Sequence, residues 1–321
     1  MKKLLEVKDL TVAFPTENGE KNAVSHISFD LNEKDFVGLV GESGSGKTVA
    51  TQTILGIESS EALVKSGSCK LNGIEVLGLS DKEWSKYRAR NIATVFQEPA
   101  SALNPLIKVG KQIEEVLKIH YDFSREKREE IVLETMRKCG LKDVEKLYKK
   151  YPHELSGGMQ QRIVIAMSLV ANPNVLIADE PTTALDAKVQ AQIIDLFKDI
   201  SRIYKGAIVF ISHDLNLIET ISKKVMIMYA GRIVERGFTK EVISDPLHPY
   251  TKALLKAVPN YKKRGEALYN IRGHVKALKN RSNDGCPFYD RCDYAMDICK
   301  KVYPKDYNKD GHLVNCHLYG E

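Results

Sequence analysis

Apolar and polar positions alternate along the first forty residues, in LLEVKDLTVAF and AVSHISFDL, and a turn-like TENGEK separates the two stretches. Alternation with a period of two is typical of strands with one buried face, so an antiparallel edge hairpin is predicted. Continuously apolar runs follow at DFVGLV, NIATVF, NVLIAD and AIVFIS. Segments with helical spacing separate them, beginning with GKTVATQTILGI. The pattern predicts an α/β fold in which helices flank a largely parallel sheet.

Two segments depart from this pattern. From about Ser101 to Lys150 the chain is rich in Lys, Glu and Leu and predicts helices without strands. After about Asp245 it becomes irregular and basic. We therefore expect an α/β core in residues 1–100 and 153–245, a helical subdomain in 101–152, and a small accessory region in 246–321.

Charge and hydropathy restrict the compartment and the partners. The formal net charge is +6, and between Asn260 and Ser282 seven Lys and Arg stand against Glu266, which accounts for the excess. Such a strip fits either a solvated linker or a face that contacts phosphate or anionic lipid. The start, MKKLLEVKDL, lacks the apolar run of a secretory signal, and no later run approaches the ~18 residues of a membrane span. We expect a cytosolic compartment, where thiols stay reduced.

A glycine-rich loop, GESGSGKT, runs from Gly41 to Thr48 between a predicted strand and a predicted helix. It fits the pattern GxxxxGK[ST], in which backbone N–H groups and a helix N-terminus bind phosphate oxygens. Lys47 would reach the β- and γ-phosphates, and the Thr48 hydroxyl would bind Mg²⁺. The predicted ATP-binding residues of the loop are Gly41, Ser43, Gly44, Ser45, Gly46, Lys47 and Thr48.

The strand run NVLIADE ends in two carboxylates, Asp179 and Glu180. A strand that delivers acids to a metal-bound triphosphate has this arrangement. Asp179 would hold Mg²⁺, mostly through water, and Glu180, one residue further, would polarise the attacking water as general base. Together with the phosphate loop, the pair predicts a nucleotide hydrolase.

A second candidate anion site is LSGGMQQR, from Leu155 to Arg162, which precedes the helical run IVIAMSLVA. Ser156, Gly157 and Gly158 can present a hydroxyl and backbone donors at a helix N-terminus. One triphosphate does not need two such sites in one chain. We therefore expect this site to close over the nucleotide of another chain, which implies a dimer with ATP at its interface.

Four of the six cysteines lie near the end of the chain, at Cys286, Cys292, Cys299 and Cys316. Structural zinc sites usually pair their ligands as CxxC, and this spacing is wider. Four thiolates on a loop-rich segment can also hold an iron–sulfur cluster. Either metal centre would order a region that has little apolar material of its own.

The motifs together, in their order along the chain, resemble those of ABC ATPases over roughly Leu4 to Thr239. The resemblance implies a P-loop core with an antiparallel β subdomain, in which Phe14 stacks on adenine. It also implies that Gln97 binds Mg²⁺ and the attacking water, and that His213 contacts the γ-phosphate. Across the dimer interface, Ser156, Gly157, Gly158, Gln160 and Asp186 would contact the partner's ATP. Lys47, Gln97, Glu180 and His213 are then the catalytic set, with Mg²⁺ at Thr48, Gln97 and Asp179.

Three further stretches resemble the ATP-binding subunits of oligopeptide and dipeptide importers: FQEPASALNP, DPLHPYTKALLKAVP and the terminal cysteine segment. The resemblance implies a second ATPase subunit, a paralogue rather than a copy, beneath two membrane-spanning subunits at the cytoplasmic face of the membrane. An external protein delivers the peptide in such importers. For the cysteines it favours a [4Fe–4S] cluster over zinc, with His312 and His317 as substitute ligands if the metal is zinc.

Other functions share part of this pattern. Nickel importers and some glycan importers resemble the same subgroup, so these cargoes are alternatives. A soluble ABC ATPase that acts on nucleic acid through the basic strip is a further alternative. Members of that class usually carry two ATPase cores in one chain, whereas this chain has one set of motifs.

Overall fold

The computed structural model describes residues 2–183, 185–257 and 269–320. The chain forms two compact units, each assembled from separate segments. Unit 1 comprises residues 1–5, 31–36 and 78–211, and unit 2 comprises 6–30, 37–77 and 212–321. In the described part of the chain, every helix is too short or too polar to cross a membrane.

The described residues form the following strands and helices. The strands are β1 (Lys3–Thr16), β2 (Gly19–Asn32), β3 (Phe36–Val40), β4 (Leu63–Leu71), β5 (Ile74–Glu75), β6 (Ile92–Val95), β7 (Val175–Asp179), β8 (Ala207–Ser212), β9 (Lys224–Tyr229), β10 (Arg232–Phe238), β11 (Asp306–Lys309) and β12 (His312–Asn315). The helices are α1 (Lys47–Leu55), α2 (Asp81–Trp84), α3 (Pro99–Ala102), α4 (Val109–His120), α5 (Arg125–Lys138), α6 (Val144–Leu147), α7 (Gly157–Leu169), α8 (Ala187–Ile203), α9 (Leu215–Ile221), α10 (Thr239–Ser244), α11 (Pro249–Ala257) and α12 (Asp297–Lys301). The apolar runs predicted as strands are β3, β6, β7 and β8, and the mixed α/β class is confirmed.

Unit 1 is built on parallel strands. β6 pairs with β7 and β7 pairs with β8, both in parallel. The side chains of β8 are buried, and Phe210 packs edge-on against Phe197 of α8 with ring centroids 5.1 Å apart. Burial of both strand faces explains why these strands are continuously apolar in sequence.

The segment between β6 and β7 folds as helices α3 to α7. Ser124 caps α5, because its hydroxyl accepts a hydrogen bond from the Lys127 amide at 3.2 Å. A buried carboxylate, Glu114 of α4, joins three parts of this segment. It accepts hydrogen bonds from Arg128 of α5 at 3.1 Å and from the Tyr148 hydroxyl at 2.6 Å.

Unit 2 contains a four-stranded sheet in the order β2-β1-β4-β5 and a second group of strands around β9. The neighbouring β1 and β2 are the hairpin that the alternating pattern predicts. β3 pairs with β9 in parallel, and β9 pairs with β10 in antiparallel orientation. β3 therefore delivers the loop that follows it to the edge of a sheet.

The C-terminal part of the chain is more regular than the sequence indicated. β11 and β12 form a hairpin, and β12 adds to β10 with Glu235 opposite Val314. Glu235 is buried, and its carboxylate accepts hydrogen bonds from the backbone amides of Leu247 at 2.7 Å and His248 at 3.0 Å. The start of α11 is thus fixed to β10 by a buried charge.

Candidate functional site

The glycine-rich loop connects β3 to α1 in unit 2. Gly46 precedes the helix with a φ of 101°, a conformation that favours glycine. A side chain at Gly41 would lie 2.3 Å from the carbonyl oxygen of Met228, so the loop also needs glycine where it passes close to β9. Gly46 has no side chain that could cap α1, and the N-terminus of a helix without such a cap suits an anion.

Lys47 is buried, with 6% of its surface exposed. Its ammonium donates hydrogen bonds to the carbonyl oxygens of Gly41 at 2.6 Å and Glu42 at 3.1 Å. It also lies 3.4 Å from the Ser45 hydroxyl. The loop carbonyls therefore hold a positive charge inside the curve of the loop, next to the helix N-terminus.

The other predicted residues of unit 2 lie on β1, α1 and the turn after β8. Phe14 is half-buried near the end of β1, and Thr48 is exposed in the first turn of α1. His213 is exposed between β8 and α9. Asp214 caps α9 by accepting a hydrogen bond from the Asn216 amide at 2.9 Å, and Ser212 accepts one from the Asp214 amide at 3.0 Å. These two bonds define the turn that presents His213.

In unit 1, Asp179 is the last residue of β7, and Glu180 follows it with a φ of 43°. A positive φ in a residue with a large side chain is strained, and such strain concentrates at functional sites. The Glu180 amide donates to the Ile211 carbonyl at 3.2 Å. The Thr183 hydroxyl donates to the Glu180 carboxylate at 2.9 Å. Both the backbone and the carboxylate of Glu180 are therefore held in place.

Gln97 is exposed two residues beyond the end of β6. Val95 of β6 pairs with Ala178 of β7, so the parallel register brings Gln97 and Glu180 to the same sheet edge. Asp179 and Gln97, which are predicted to hold Mg²⁺, thus share one edge of unit 1 with Glu180, the predicted base.

Ser156 is the N-cap of α7, and its hydroxyl accepts a hydrogen bond from the Met159 amide at 3.4 Å. A Cβ at Gly158 would lie 2.7 Å from Val189 of α8, so packing requires glycine there. At Gly157, among the described residues, a Cβ would meet only Leu185 Cδ2, at an ordinary 3.9 Å. Packing within this unit therefore does not explain the first glycine of the pair.

The remaining predicted interface residues make bonds within unit 1. The Gln160 side-chain amide donates to the Pro152 carbonyl at 2.8 Å. Asp186 caps α8, and its carboxylate accepts hydrogen bonds from the amides of Lys188 and Val189, both at 3.0 Å. Both residues fix the loops that precede exposed helix N-termini.

The four C-terminal cysteines line one pocket of unit 2, together with His248 and His317. Burial, and to a lesser extent the charges of the other three cysteines, raise the pKa of Cys286 to about 12. Burial likewise raises the pKa of Cys316 to about 11. Within the described ranges, however, no three His, Cys, Asp or Glu side chains are arranged to hold a metal ion. The thiols therefore share one pocket, but the expected metal-binding region is not supported.

Two histidines of the C-terminal region make contacts that the sequence did not indicate. His312, expected as a substitute zinc ligand, lies 2.7 Å from the buried Glu235 carboxylate instead. His248 is fully buried, and its Nδ1 accepts a hydrogen bond from the Tyr250 amide at 3.0 Å. Its Nε2 is buried with no hydrogen-bond partner among the described residues. Burial lowers the pKa of His248 to about 4, so the ring is neutral and Nε2 carries the proton.

Much of the basic strip is paired. Arg272 and Lys276 form ion pairs with Asp293 and Asp290. Arg281 donates a hydrogen bond to the Gly44 carbonyl at 2.5 Å. Lys279 lies 3.9 Å from the Glu17 carboxylate. Lys262, Lys263, Arg264 and Glu266 lie outside the described residues.

Residues that the sequence did not single out lie beside the phosphate loop. Glu42 of the loop is paired with Arg291, 249 positions away, at 3.1 Å. The Glu42 amide donates to the Tyr250 hydroxyl at 3.0 Å. Spacing along the chain carries no signal for contacts this distant.

Comparison with known proteins gives two family matches. Residues 24–183 match the model described as ABC transporter. Residues 234–299 match the model described as oligopeptide/dipeptide transporter, C-terminal region.

Curated relatives match along nearly the whole chain. The oligopeptide transport ATP-binding protein OppD of Escherichia coli K12 is 42% identical over 313 residues, which cover 98% of this chain and 92% of the relative. The dipeptide transport ATP-binding protein DppD of Bacillus subtilis 168 is 42% identical over 320 residues, with 99% and 95% covered.

Solved structures match the larger part of the chain. The ATP-binding cassette MJ0796, a dimer in a post-hydrolysis state bound to ADP and Pi, has a TM-score of 0.65 and 27% identity, covering 74% of this chain and 99% of its own. The cbiO1 protein of Clostridium perfringens, part of the transporter complex cbiONQ, has a TM-score of 0.66 and 25% identity, covering 76% and 92%.

Proposed function

The chain belongs to the ABC transporter family of ATPases, and from this membership we propose that it energises the import of oligopeptides or dipeptides. The observation that carries the proposal is the match over nearly the whole chain to relatives named as peptide transport ATP-binding proteins. It extends beyond the ATPase motifs, since residues 234–299 match the C-terminal region of oligopeptide and dipeptide transporters. ATP hydrolysis is the activity of the family, and peptide is the proposed cargo.

The proposed hydrolytic roles follow from the chemistry of each group. Lys47 and the N–H groups of the phosphate loop bind the β- and γ-phosphates, and Phe14 stacks on the adenine. Thr48, Gln97 and Asp179 hold Mg²⁺, which neutralises charge on the phosphates. Glu180 accepts the proton of the attacking water, and His213 donates to the γ-phosphate. The fixed carboxylate of Glu180, held by Thr183 at 2.9 Å, supports its role as base.

ATP is proposed to lie between two ATPase subunits. Ser156, Gly157, Gly158, Gln160 and Asp186 would form the surface that closes over the partner's nucleotide. Gly157 supports this assignment, because packing within its own unit leaves room for a Cβ. The similar cassette MJ0796 is itself a dimer with ADP and Pi. The partner subunit is proposed to be a paralogue.

The proposed domains keep the division into a core of residues 1–100 and 153–245, a helical subdomain of 101–152, and a C-terminal region of 246–321. In this arrangement the helical subdomain receives the coupling segment of a membrane-spanning subunit. Closure of the two ATPase subunits on ATP, and their reopening after phosphate release, would then alternate the access of the transporter. The chain would act as a peripheral subunit at the cytoplasmic face.

Nickel or glycan import uses the same ATPase chemistry and is the principal alternative. Action on nucleic acid is less well supported, because Arg272 and Lys276 of the basic strip are paired with carboxylates. A transport experiment separates these functions. A strain that lacks this chain should lose uptake of labelled di- and oligopeptides and regain it with the native chain.

The control in this experiment is Lys47→Ala, which should not restore uptake. Uptake of nickel and of oligosaccharides is measured in the same strains. Unchanged peptide uptake in the deletion strain, with loss of nickel or glycan uptake, would contradict the proposed cargo. Unchanged uptake of all of these, while the chain copurifies with nucleic acid, would contradict a transport function.

A metal centre at Cys286, Cys292, Cys299 and Cys316 is proposed as a second feature of the chain. The donor set fits, because the four thiols line one pocket and the charges of the other three contribute to the raised pKa of Cys286. His248 lines the same pocket, and its proton-bearing Nε2, which has no hydrogen-bond partner among the described residues, suits a hydrogen bond to a thiolate. The pocket volume is about 20 Å³, so a [4Fe–4S] cluster requires the cysteine segments to separate, whereas a zinc ion would need only local adjustment.

The centre would be held by four thiolates, and a [4Fe–4S] cluster, the form we propose, would supply one-electron redox chemistry when bound. Metal analysis of protein purified without oxygen tests this. About four iron and four sulfide per chain, with absorption near 400 nm, support the cluster. One zinc per chain identifies the alternative metal, and substoichiometric iron and zinc would contradict a metal centre.

A further inference from the structure

Two arginines of the C-terminal region contact the phosphate loop directly. Arg291 donates from one guanidinium nitrogen to both carboxylate oxygens of Glu42, at 3.2 and 3.1 Å. Arg281 donates to the carbonyl oxygen of Gly44 at 2.5 Å. Both acceptors belong to the loop of Gly41 to Thr48. A segment remote in sequence therefore supports the loop at two of its residues.

Several contacts besides the one with Glu42 hold the Arg291 side chain in place. It is 8% exposed, and its other N–H groups donate to the backbone carbonyl oxygens of Arg272 at 2.9 Å, Gly273 at 3.4 Å and Ile271 at 3.5 Å. The Tyr229 hydroxyl lies 3.3 Å from the same guanidinium. A guanidinium with this many partners keeps one orientation, which makes it a rigid support for a carboxylate.

Glu42 connects Arg291 to the parts of the loop that are proposed to bind the phosphates. Its amide donates to Tyr250, and its carbonyl accepts hydrogen bonds from the Ser45 amide at 3.1 Å and from Lys47 at 3.1 Å. A shift of the Glu42 side chain would therefore be transmitted to its own peptide groups. Both Lys47 and the turn at Ser45 depend on where those peptide groups lie.

Arg281 contacts the same turn at another residue, Gly44. Gly44 has a φ of 76°, and its carbonyl shares a planar peptide with the Ser45 N–H. Because carbonyl and N–H point in opposite directions across that plane, a donor on the Gly44 oxygen fixes the direction of the Ser45 N–H. That N–H donates to the Glu42 carbonyl at 3.1 Å, so Arg281 and Glu42 fix the same turn of the phosphate loop.

We propose that Arg291 and Arg281 are positioning residues that preorganise the phosphate loop for ATP, so that the fold of the C-terminal cysteine region sets the ATP affinity. The inference rests on the proposed ATP site and adds a control of that site from the cysteine region. Cys292 directly follows Arg291, and the Cys286 amide donates to the Cys299 carbonyl at 2.7 Å. Any change that rearranges the cysteine pocket therefore acts on the segment that holds Glu42.

A double-mutant cycle on the full-length chain tests the proposal. Glu42→Gln, Arg291→Gln and the double variant are compared by fluorescence titration with a labelled ATP analogue and by steady-state hydrolysis. Each single variant should raise Kd and KM for ATP about tenfold, and the double variant should be no weaker than the worse single variant. The turnover number at saturating ATP should stay within about twofold, because the catalytic groups are unchanged.

Arg281→Gln should raise Kd by about threefold, because it removes one hydrogen bond to the loop. Arg272→Gln is the matched control. Its side chain pairs with Asp293 on the surface at 3.3 Å, so ATP affinity should be native. Thermal unfolding and metal content are measured for every variant, and Arg281→Gln and Glu42→Gln carry the test if Arg291→Gln does not fold.

The outcomes separate the inference from the function it rests on. Folded variants with native Kd and KM would overturn the positioning role, as would additive effects of the Glu42 and Arg291 substitutions. A native chain that binds no ATP analogue would instead overturn the ATP site itself. A fall in melting temperature without a change in Kd would show that the two arginines only stabilise the fold, which also overturns the proposal.

Discussion

At the scale of single residues, Glu180 combines a strained backbone with a fixed carboxylate. Its φ of 43° and the 2.9 Å bond from Thr183 orient the side chain beyond the end of β7. Catalytic groups persist in such conformations when the surrounding structure holds them there. Contacts within the chain thus hold the proposed base in one orientation.

Replacement of Glu180 tests its assignment as general base. Glu180→Gln keeps the size and the Thr183 contact but cannot accept a proton at neutral pH. We expect ATP binding to be retained and hydrolysis to fall roughly 100-fold or more. Single-turnover hydrolysis by the assembled transporter measures the effect, and size-exclusion chromatography with ATP should show a persistent dimer of ATPase subunits.

Thr183→Val is the control for this prediction, because it removes the hydrogen bond to the base without removing the base. A loss of about tenfold or less is expected. If Glu180→Gln hydrolysed ATP at the native rate, another group would have to be the base.

The two adjacent glycines at the start of α7 predict opposite outcomes for the same substitution. Gly157→Ala has room within the subunit, so the fold should be native while ATP-driven dimer formation and hydrolysis fall about tenfold or more. Gly158→Ala would place a Cβ 2.7 Å from Val189 and should destabilise the fold by about 1–3 kcal/mol. Thermal unfolding and ATPase assays on both variants make the comparison.

A stable, fully active Gly157→Ala variant would contradict the assignment of this glycine to the interface. Equal destabilisation by both substitutions would show that both are packing glycines. The melting temperature alone shows the second result, whereas the first also requires the ATPase assay.

At the scale of elements, Glu114 of α4 is the electrostatic centre of the helical segment. Burial alone would raise its pKa, but hydrogen bonds from Lys111, Tyr148 and Arg128 lower it to about 2. A carboxyl group whose folded pKa lies below its unfolded value of 4.5 stabilises the fold above that value. The contribution is lost as the pH falls from about 4.5 towards 2.

Glu114→Gln should therefore lower the free energy of unfolding by roughly 2 kcal/mol at neutral pH and flatten its dependence on pH below about 4.5. Urea unfolding between pH 3 and pH 7 measures both effects. Glu130→Gln is the matched control, because its partner Lys127 is exposed and the pair at 2.8 Å contributes little. An unchanged pH dependence in Glu114→Gln would contradict the role of this carboxylate.

The elements that sequence predicted and those that it missed differ in how they are stabilised. The buried strands β3, β6, β7 and β8 are visible as apolar runs because both faces are covered. β11 is exposed along its length and is held by backbone pairing with β12, so hydropathy carries no signal for it. The turn at Asp310 and Gly311, with φ of 55° and 93°, is the signal that would have identified this hairpin.

The residues of the candidate site also differ in whether the sequence reveals them. Short motifs identify groups that must approach a phosphate or a metal, because that chemistry restricts residue type at fixed spacing. Arg281 contacts Gly44, 237 positions away, and Arg291 contacts Glu42, 249 positions away. These contacts form only when the chain has folded. A buried arginine looks like any surface arginine in the sequence, so its place beside the phosphate loop could be learned only from the structure.

At the scale of the whole molecule, the C-terminal region takes part in the core of unit 2. β12 covers the edge of β10, and Phe288 packs against Tyr229 and Tyr250 with ring centroids 5.2 and 5.4 Å apart. Phe288 and Val314 are 2% and 0% exposed. These contacts are those of a hydrophobic core, so the region is not an appendage that a metal alone would have to stabilise.

Removal of this region should therefore damage the ATPase unit itself. A chain that ends at Ala257 would expose the edge of β10, leave the Glu42 carboxylate without Arg291 and uncover Tyr229 and Tyr250. We expect it to aggregate or to unfold without a cooperative transition, as followed by circular dichroism and light scattering.

The full-length variant with all four cysteines replaced by serine is the comparison, since it lacks thiol ligands but keeps β12, Phe288 and Arg291. If the cysteine variant folds and the shortened chain does not, packing and ion pairing of the C-terminal region stabilise unit 2. If the shortened chain binds ATP with native affinity and melts cooperatively, the region is a separable accessory after all.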